Sequence, residues 1–428
     1  MGNRLRLWAG FIGILLGAFA MPCASAAAGA PTAAAEQWVA SWATALQAIP
    51  ELRDPPPLYR APDVSDRTVR EIVYPTLSGR RVRVTISNAY GRAPLAIDDV
   101  VMAQSAGGAA VRPATAVQLT FAGRTSIVLE PGDEVETDAA EMELHAGEAY
   151  AISVHARRGQ TMTAWHRVAN QINYVSSPGD HAADAEGSAY TSRFTEHAWV
   201  TAISVPRESS AAIAAIGDSI TDGLRSSLNE NRRWPDALTR RLAGAGGAST
   251  AVLDLGISGN RLLSDSACYG EALERRFAHD ALGPAGVKAV IVLIGINDIN
   301  FATMPRRSGL DCDAPHTVVT AQDLIEGYRR LIDAAHRRGV RVFGATLTPA
   351  AAPPAREAIR LAVNTWIRTS GAFDGVIDFD AALRNPANAD RLRRDYDSGD
   401  GIHPNDSGYE AMGAAIDLAA LTSAAHRH

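Results

Sequence analysis

Five near-continuous apolar runs in the second half of the chain constrain its fold more than any other feature. They are Ala211 to Ile216, Thr250 to Leu255, Ala289 to Ile294, Val340 to Thr346 and a short one at Val376 to Phe379. A strand with one wet face alternates apolar and polar residues. A strand without that alternation is buried on both faces, as in a parallel sheet covered by helices. The gaps between the runs hold amphipathic stretches. One starts near Trp234-Pro235, with proline where a first helical turn tolerates it. Another runs from Ala321 to Arg338 and stops at Gly339, and a last one follows Pro404, with Asn405 or Asp406 as its cap. The pattern predicts an α/β fold, a doubly wound, flavodoxin-like parallel sheet, over residues 206–428.

The first half has a different period. Val82, Val84 and Ile86 alternate with arginine and threonine, and Val117, Leu119, Phe121 and Tyr150, Ile152, Val154 repeat the beat. Turn signals such as Pro131-Gly132 and Ser177-Pro178-Gly179 separate the runs. Period two with frequent turns predicts an antiparallel, β-sandwich-like domain over residues 36–205, behind an alanine-rich linker at 27–35. A chain of 428 residues accommodates two such units, and no internal repeat is present.

Arg4 and Arg6 precede an apolar stretch from Leu7 to Ala20 that ends in small residues at Ala24, Ser25 and Ala26. This is the anatomy of a signal peptide over residues 1–26, and the stretch is shorter than the roughly 20 apolar residues a membrane span needs. A secreted or periplasmic protein without a stable membrane anchor is expected. Removing those residues takes the formal charge from −6 to −8, which argues against nucleic acid as a partner. It also removes Cys23 and leaves Cys268 and Cys312, an even pair in an oxidising compartment, so a disulfide between them is expected. Lys288 is the only lysine, which disfavours Schiff-base and Ser-Lys chemistry.

Ligands of an open parallel sheet sit beyond the carboxyl ends of its strands, so the residues after each run carry the functional information. After the first run comes Gly217-Asp218-Ser219, which sets a hydroxyl at the sheet edge, with Asp218 read as shaping the turn. After the second comes Gly256-Ile257-Ser258-Gly259-Asn260, whose glycines let backbone N–H groups approach a ligand. Gly295-Ile296-Asn297 follows the third and supplies a carboxamide donor. Near the end, Asp400-Gly401-Ile402-His403 places a carboxylate three residues before an imidazole in a glycine-rich loop. Each piece alone is also an ordinary loop. Together they contain a nucleophile, a base, an orienting acid and hydrogen-bond donors.

These pieces, in this order, resemble the GDSL or SGNH hydrolases, a superfamily of esterases and lipases. The family's four blocks fall on Ser219, Gly259, Asn297 and the pair Asp400 and His403. Trp38 to Thr44 and Ser87-Asn88-Ala89-Tyr90-Gly91 resemble extracellular bacterial members, some of them arylesterase-like or xylan-esterase-like, with a β-rich domain ahead of the hydrolase. The resemblance implies a Ser219-His403-Asp400 triad and an oxyanion hole from Ser219, Gly259 and Asn297. It implies an ester hydrolase acting on a small-molecule or polysaccharide ester; short acyl groups are favoured by export and by a companion β domain that would hold a glycan on aromatics such as Trp165, Tyr174 or Trp199, residues that core packing also explains. A lipase, a lysophospholipase and an acyltransferase share the same residues. A catalytically silent glycan-binding protein, with the β domain doing the recognition, is the alternative from another class. No His-Glu-x-x-His helix, paired-cysteine set or calcium loop is present, and Gly244 to Gly247 follows a helical stretch rather than a strand. No metal and no cofactor are expected. Oligomeric state is left open.

Overall fold

The parallel sheet runs in the order Thr250–Gly256, Ala211–Gly217, Val287–Leu293, Arg341–Ala345, Gly375–Ile377. All its neighbours are parallel, so the chain starts one strand in from the edge and winds both ways, as a doubly wound sheet requires. This was seen in a computed structural model that describes residues 36–246 and 249–425. The expected signal peptide, residues 1–26, and the linker lie outside the described residues, and residues from Glu36 onward form one contact unit.

Each predicted run becomes a strand, with ends that coincide or shift by one or two residues. Phe379 is the exception in kind, since the last strand stops at Ile377 and Phe379 opens the helix Phe379–Leu383. Every residue of Ala211–Gly217 is buried, which explains why that run carries no polar beat. Helices Trp234–Gly244, Ala321–His336 and Asp406–Ala414 occupy the expected places. Asn405 is the cap of the last, its side chain accepting the Gly408 N–H.

The first half forms two large antiparallel sheets, besides a two-stranded pair of Gln47–Ala48 with Ala164–Trp165. One joins Trp38–Ala43, Val200–Pro206, Gly79–Ser87 and Ala140–Leu144, with Glu134–Glu136 added to Gly79–Ser87. The other is built around Arg67–Val73, Tyr150–Ala156 and Leu95–Gly107. The alternation at Tyr150, Ile152 and Val154 marks the face turned to the main core, yet all seven residues of that strand are buried, because Ala151 packs into a second, smaller cluster. Beyond Gln118 the expected Val117-to-Phe121 strand gives way to an isolated bridge at Phe121. Trp165, Tyr174 and Trp199, considered as glycan-holding aromatics, are only 1%, 8% and 2% exposed and pack inside. They offer no exposed platform for a sugar.

One apolar core runs from Val39 through the parallel sheet to Leu421. Polar contacts join the halves as well. The Ala40 N–H donates to Ala285 O at 2.8 Å, and the Gln47 carboxamide donates to Cys268 O. The Thr76 hydroxyl accepts the Val252 N–H at 3.3 Å on the edge strand and donates to Ser41 O at 2.7 Å. Cys268 and Cys312 form the expected disulfide. Among the described residues no helix is long and apolar enough to cross a membrane.

Candidate active site

The segment bearing Ser219 is built by a short helix, Ser219–Asp222, that starts as soon as the central strand ends. Asp218 is its cap, with Oδ1 accepting the Ile220 N–H at 3.0 Å, which agrees with a turn-shaping role. Ser219 therefore occupies the first helical position, where a backbone N–H has no partner within the helix. Gly223 closes the helix in the left-handed conformation. The helix sits very close to the neighbouring strand end: a Cβ on Gly256 would lie 2.3 Å from Asp222 N, so only glycine permits the approach.

Ser219 is 5% exposed, and its Oγ lies 2.8 Å from His403 Nε2. His403 Nδ1 lies 2.9 Å from Asp400 Oδ2. Asp400 Oδ1 accepts the N–H groups of Ile402 and His403 at 3.0 and 2.9 Å, which locks the loop around the ring. Although burial alone would raise its pKa, these bonds and His403 hold the Asp400 carboxyl far below the usual carboxylate range. Asp397 gathers the Gly399 and Gly401 N–H groups, and Asp406 receives the Ser227 N–H and hydroxyl, fastening the loop to the segment after the nucleophile helix.

Gly259 lies in a turn whose ends are joined by the Asn260 N–H donating to Ile257 O at 3.0 Å. Its φ of +84° at the third position is that of a type II turn, which favours glycine. A side chain there would also meet the Tyr269 ring at 2.4 Å. Among the described residues no protein acceptor is bound by the Ser219 or Gly259 N–H. Asn297 opens its short helix at the second residue, and its Nδ2 donates to Asn260 O at 3.0 Å. That bond ties the carboxamide to the Gly259 turn and uses one of its two N–H groups. The structure thus brings together Ser219, His403 and Asp400 in one hydrogen-bonded chain, and holds Gly259 and Asn297 against each other through Asn260. Cys268 and Cys312 lie apart from this chain, in the loops that carry Tyr269 and Asp313.

Several supporting residues were absent from the sequence reading. Buried Arg276 donates to Gly217 O, Leu255 O and Asn260 Oδ1, bracing two strand ends and the turn at once. Asp298, one residue past Asn297, accepts the N–H groups of Leu262 and Leu263. Asp222 accepts both the N–H and the hydroxyl of Ser258. The available signal was charge at positions flanking the motif residues. A cleft of about 500 Å³, lined by residues such as Thr44, Tyr90, Glu134 and His279, lies between the halves and includes none of the expected site residues.

Residues 215–411 match the model of the GDSL-like Lipase/Acylhydrolase family. No curated protein matches the sequence. Among solved structures, the chain is similar to a GDSL-like lipase from Bacteroides thetaiotaomicron at 19% identity, covering 51% of this chain and 91% of that one with a TM-score of 0.35. It is also similar to a catalytic mutant of an acetylxylan esterase from Geobacillus stearothermophilus, at 19% identity over 48% and 91% of the two chains, TM-score 0.36. A carbohydrate acetylesterase family member from Sinorhizobium meliloti matches at 15% identity over 50% and 98%, TM-score 0.37. The stretch from residue 215 to 411 is a GDSL-like lipase/acylhydrolase domain, and the chain carrying it is a carboxylic ester hydrolase.

Proposed function

We propose that Ser219 is the nucleophile of an exported esterase that cleaves short acyl esters of carbohydrates or small alcohols. The observation that carries this reading is the unbroken chain from Ser219 Oγ through His403 to Asp400, with bonds of 2.8 and 2.9 Å. A serine hydroxyl is a weak nucleophile at neutral pH, so a base must take its proton during attack. His403 Nε2 accepts that proton while Oγ bonds to the ester carbonyl carbon. Asp400 holds Nδ1–H, fixes the tautomer and stabilises the imidazolium. The tetrahedral oxyanion meets the Ser219 and Gly259 N–H groups and the second Asn297 N–H. Collapse expels the alcohol, which takes the proton from His403 and leaves an acyl-serine. Water then repeats the sequence, giving its proton to His403 and releasing the acid and Ser219.

Two observations bear on substrate and location. Tyr269 stands against Gly259, and Phe301 packs on Tyr269 with ring centroids 5.5 Å apart, which favours a short acyl group beside the oxyanion donors over a long chain. The Cys268–Cys312 disulfide fits an oxidising compartment and supports export. In this reading residues 36–205 are a β-rich domain that completes the hydrolase of residues 206–428.

A serine-directed organophosphate together with p-nitrophenyl esters from acetate to palmitate tests the proposal. Covalent labelling at Ser219, loss of turnover in Ser219→Ala and a preference for acetate are expected. Turnover surviving in Ser219→Ala rules out the nucleophile, and a palmitate preference rules out the short-acyl assignment.

A further inference from the structure

The turn that presents the Gly259 N–H is anchored from behind. Asp222, 1% exposed, places Oδ2 2.8 Å from the Ser258 N and also accepts the Ser258 hydroxyl. Ser258 is the second residue of that turn. Type I and type II turns differ by a flip of the peptide between the second and third residues, here the peptide that carries the Gly259 N–H. Holding Ser258 by its N–H and hydroxyl anchors the residue about which that peptide turns, and so restrains the direction in which the Gly259 N–H points.

The other oxygen of Asp222 is held by the β-rich half. Oδ1 lies 3.0 Å from Nε2 of His166, a residue 4% exposed. Among the described residues, every hydrogen-bond partner of this ring accepts. Nδ1 is 2.9 Å from Ala45 O, and Nε2 is also 3.2 Å from Val168 O. Carbonyls and a carboxylate cannot donate, so the ring satisfies them with an N–H on each nitrogen. Burial opposes a charge there, yet the Asp222 carboxylate beside the ring raises its pKa above the ordinary histidine value. The backbone around the ring is also tied, because His166 and His197 exchange N–H to O bonds of 2.9 and 3.0 Å. His197 is in turn bound to buried Glu71 at 3.0 Å. Next to these residues, the Asn170 carboxamide donates to Gly223 O and Ser226 Oγ, on the far side of the nucleophile helix.

We propose that His166 of the β-rich half is a positioning residue for the oxyanion-binding turn, acting through Asp222 on Ser258 and so on the Gly259 N–H. The inference rests on the serine-esterase reading above. It assigns the β-rich half a part in the reaction. His166 does not touch substrate; its contribution is to hold one donor in the orientation that the tetrahedral intermediate needs.

The test compares His166→Gln with His166→Met, two side chains of similar length and bulk of which only glutamine can donate to Asp222. Turnover of p-nitrophenyl acetate is normalised to sites titrated by an organophosphate, with folding checked by near-ultraviolet circular dichroism. Misorienting one donor costs on the order of tenfold to a hundredfold in kcat. His166→Met is expected to lose that much kcat with KM within about twofold of wild type. His166→Gln is expected to recover most of it. Equal kcat in folded His166→Met and wild type overturns the proposal, as does an equal loss in both variants, which assigns the effect to packing. Should His166→Met fail to fold, Ser258→Ala removes one of the two bonds to Asp222; a drop in kcat at unchanged KM supports the proposal and an unchanged kcat overturns it. Ser219→Ala separates the two levels. Turnover surviving there rules out the serine-esterase reading itself, whereas turnover lost there but intact in His166→Met overturns this inference alone.

Discussion

Asp400 Oδ2 serves two partners: His403 Nδ1 at 2.9 Å and Arg225 Nε at 3.3 Å. The two bonds are unequal in consequence. Arg225 is 59% exposed, and exposed ion pairs contribute about 0–1 kcal/mol. Arg225→Ala is expected to leave the melting temperature nearly unchanged and ester turnover within about threefold of wild type. Asp400→Asn replaces a carboxylate with a group that no longer stabilises the imidazolium, and turnover should fall on the order of ten-thousandfold. Steady-state kinetics on both variants checks the contrast, and comparable losses in the two would contradict it.

The other two proposed oxyanion donors, Asn297 and Gly259, should fail differently when replaced. Asn297→Ala removes a carboxamide at a half-buried position and should lower kcat about a hundredfold to a thousandfold while the protein melts near the wild-type temperature. Gly259→Ala places a methyl group into the Tyr269 ring at a φ of +84° and should lower both turnover and melting temperature. Kinetics paired with thermal unfolding distinguishes the two patterns.

The disulfide closes a long loop, with 44 residues of sequence separation between Cys268 and Cys312. Cross-links of this kind stabilise by about 2–4 kcal/mol. The Arg261 guanidinium donates to Asp313 O and Ala314 O, so the bridged loops also brace the residues after Gly259. Cys268→Ser with Cys312→Ser should melt several degrees lower, and a reductant should lower the wild-type midpoint without moving that of the variant.

Asp218 is buried, and desolvation reinforced by nearby Asp298 and Asp222 pushes its carboxyl to about 7. In the unfolded chain it titrates near the ordinary value of about 4. Between those two values the folded protein holds a proton that the unfolded chain has released. Stability tied to Asp218 is therefore complete below about pH 4 and is lost as pH rises towards 7. Asp218→Asn should make the fall in melting temperature from pH 5 to pH 8 shallower than in wild type. Identical slopes in the two proteins would show that Asp218 does not titrate in this range.

The parallel sheet was legible because burial on both faces leaves no room for a polar beat, and the motif residues were legible because strand ends converge in such a sheet. Ser219, Gly259, Asn297, Asp400 and His403 all lie just beyond an apolar run or in one short loop, where local sequence reports position. His166 was not legible. It is separated from Asp222 by 56 residues and stands on the other half of the chain, so only tertiary packing brings them together. Trp165, Tyr174 and Trp199 were ambiguous for a related reason: composition shows that an aromatic is present, and only the closure of the sheets shows that it faces inward. Phe379 was assigned to a strand because its apolar character suits either element, and the Asp378 side chain accepting the Ala381 N–H is what turns the chain into a helix.

The Thr76 hydroxyl on the Val252 N–H covers the outermost strand of the parallel sheet on its free side. An uncovered margin of that kind presents a row of unsatisfied amides on which another molecule's strand can nucleate. The amino-terminal half thus occupies part of that margin. A recombinant fragment without it would bare the Val252 N–H of that strand and should associate edge to edge more readily than the full chain.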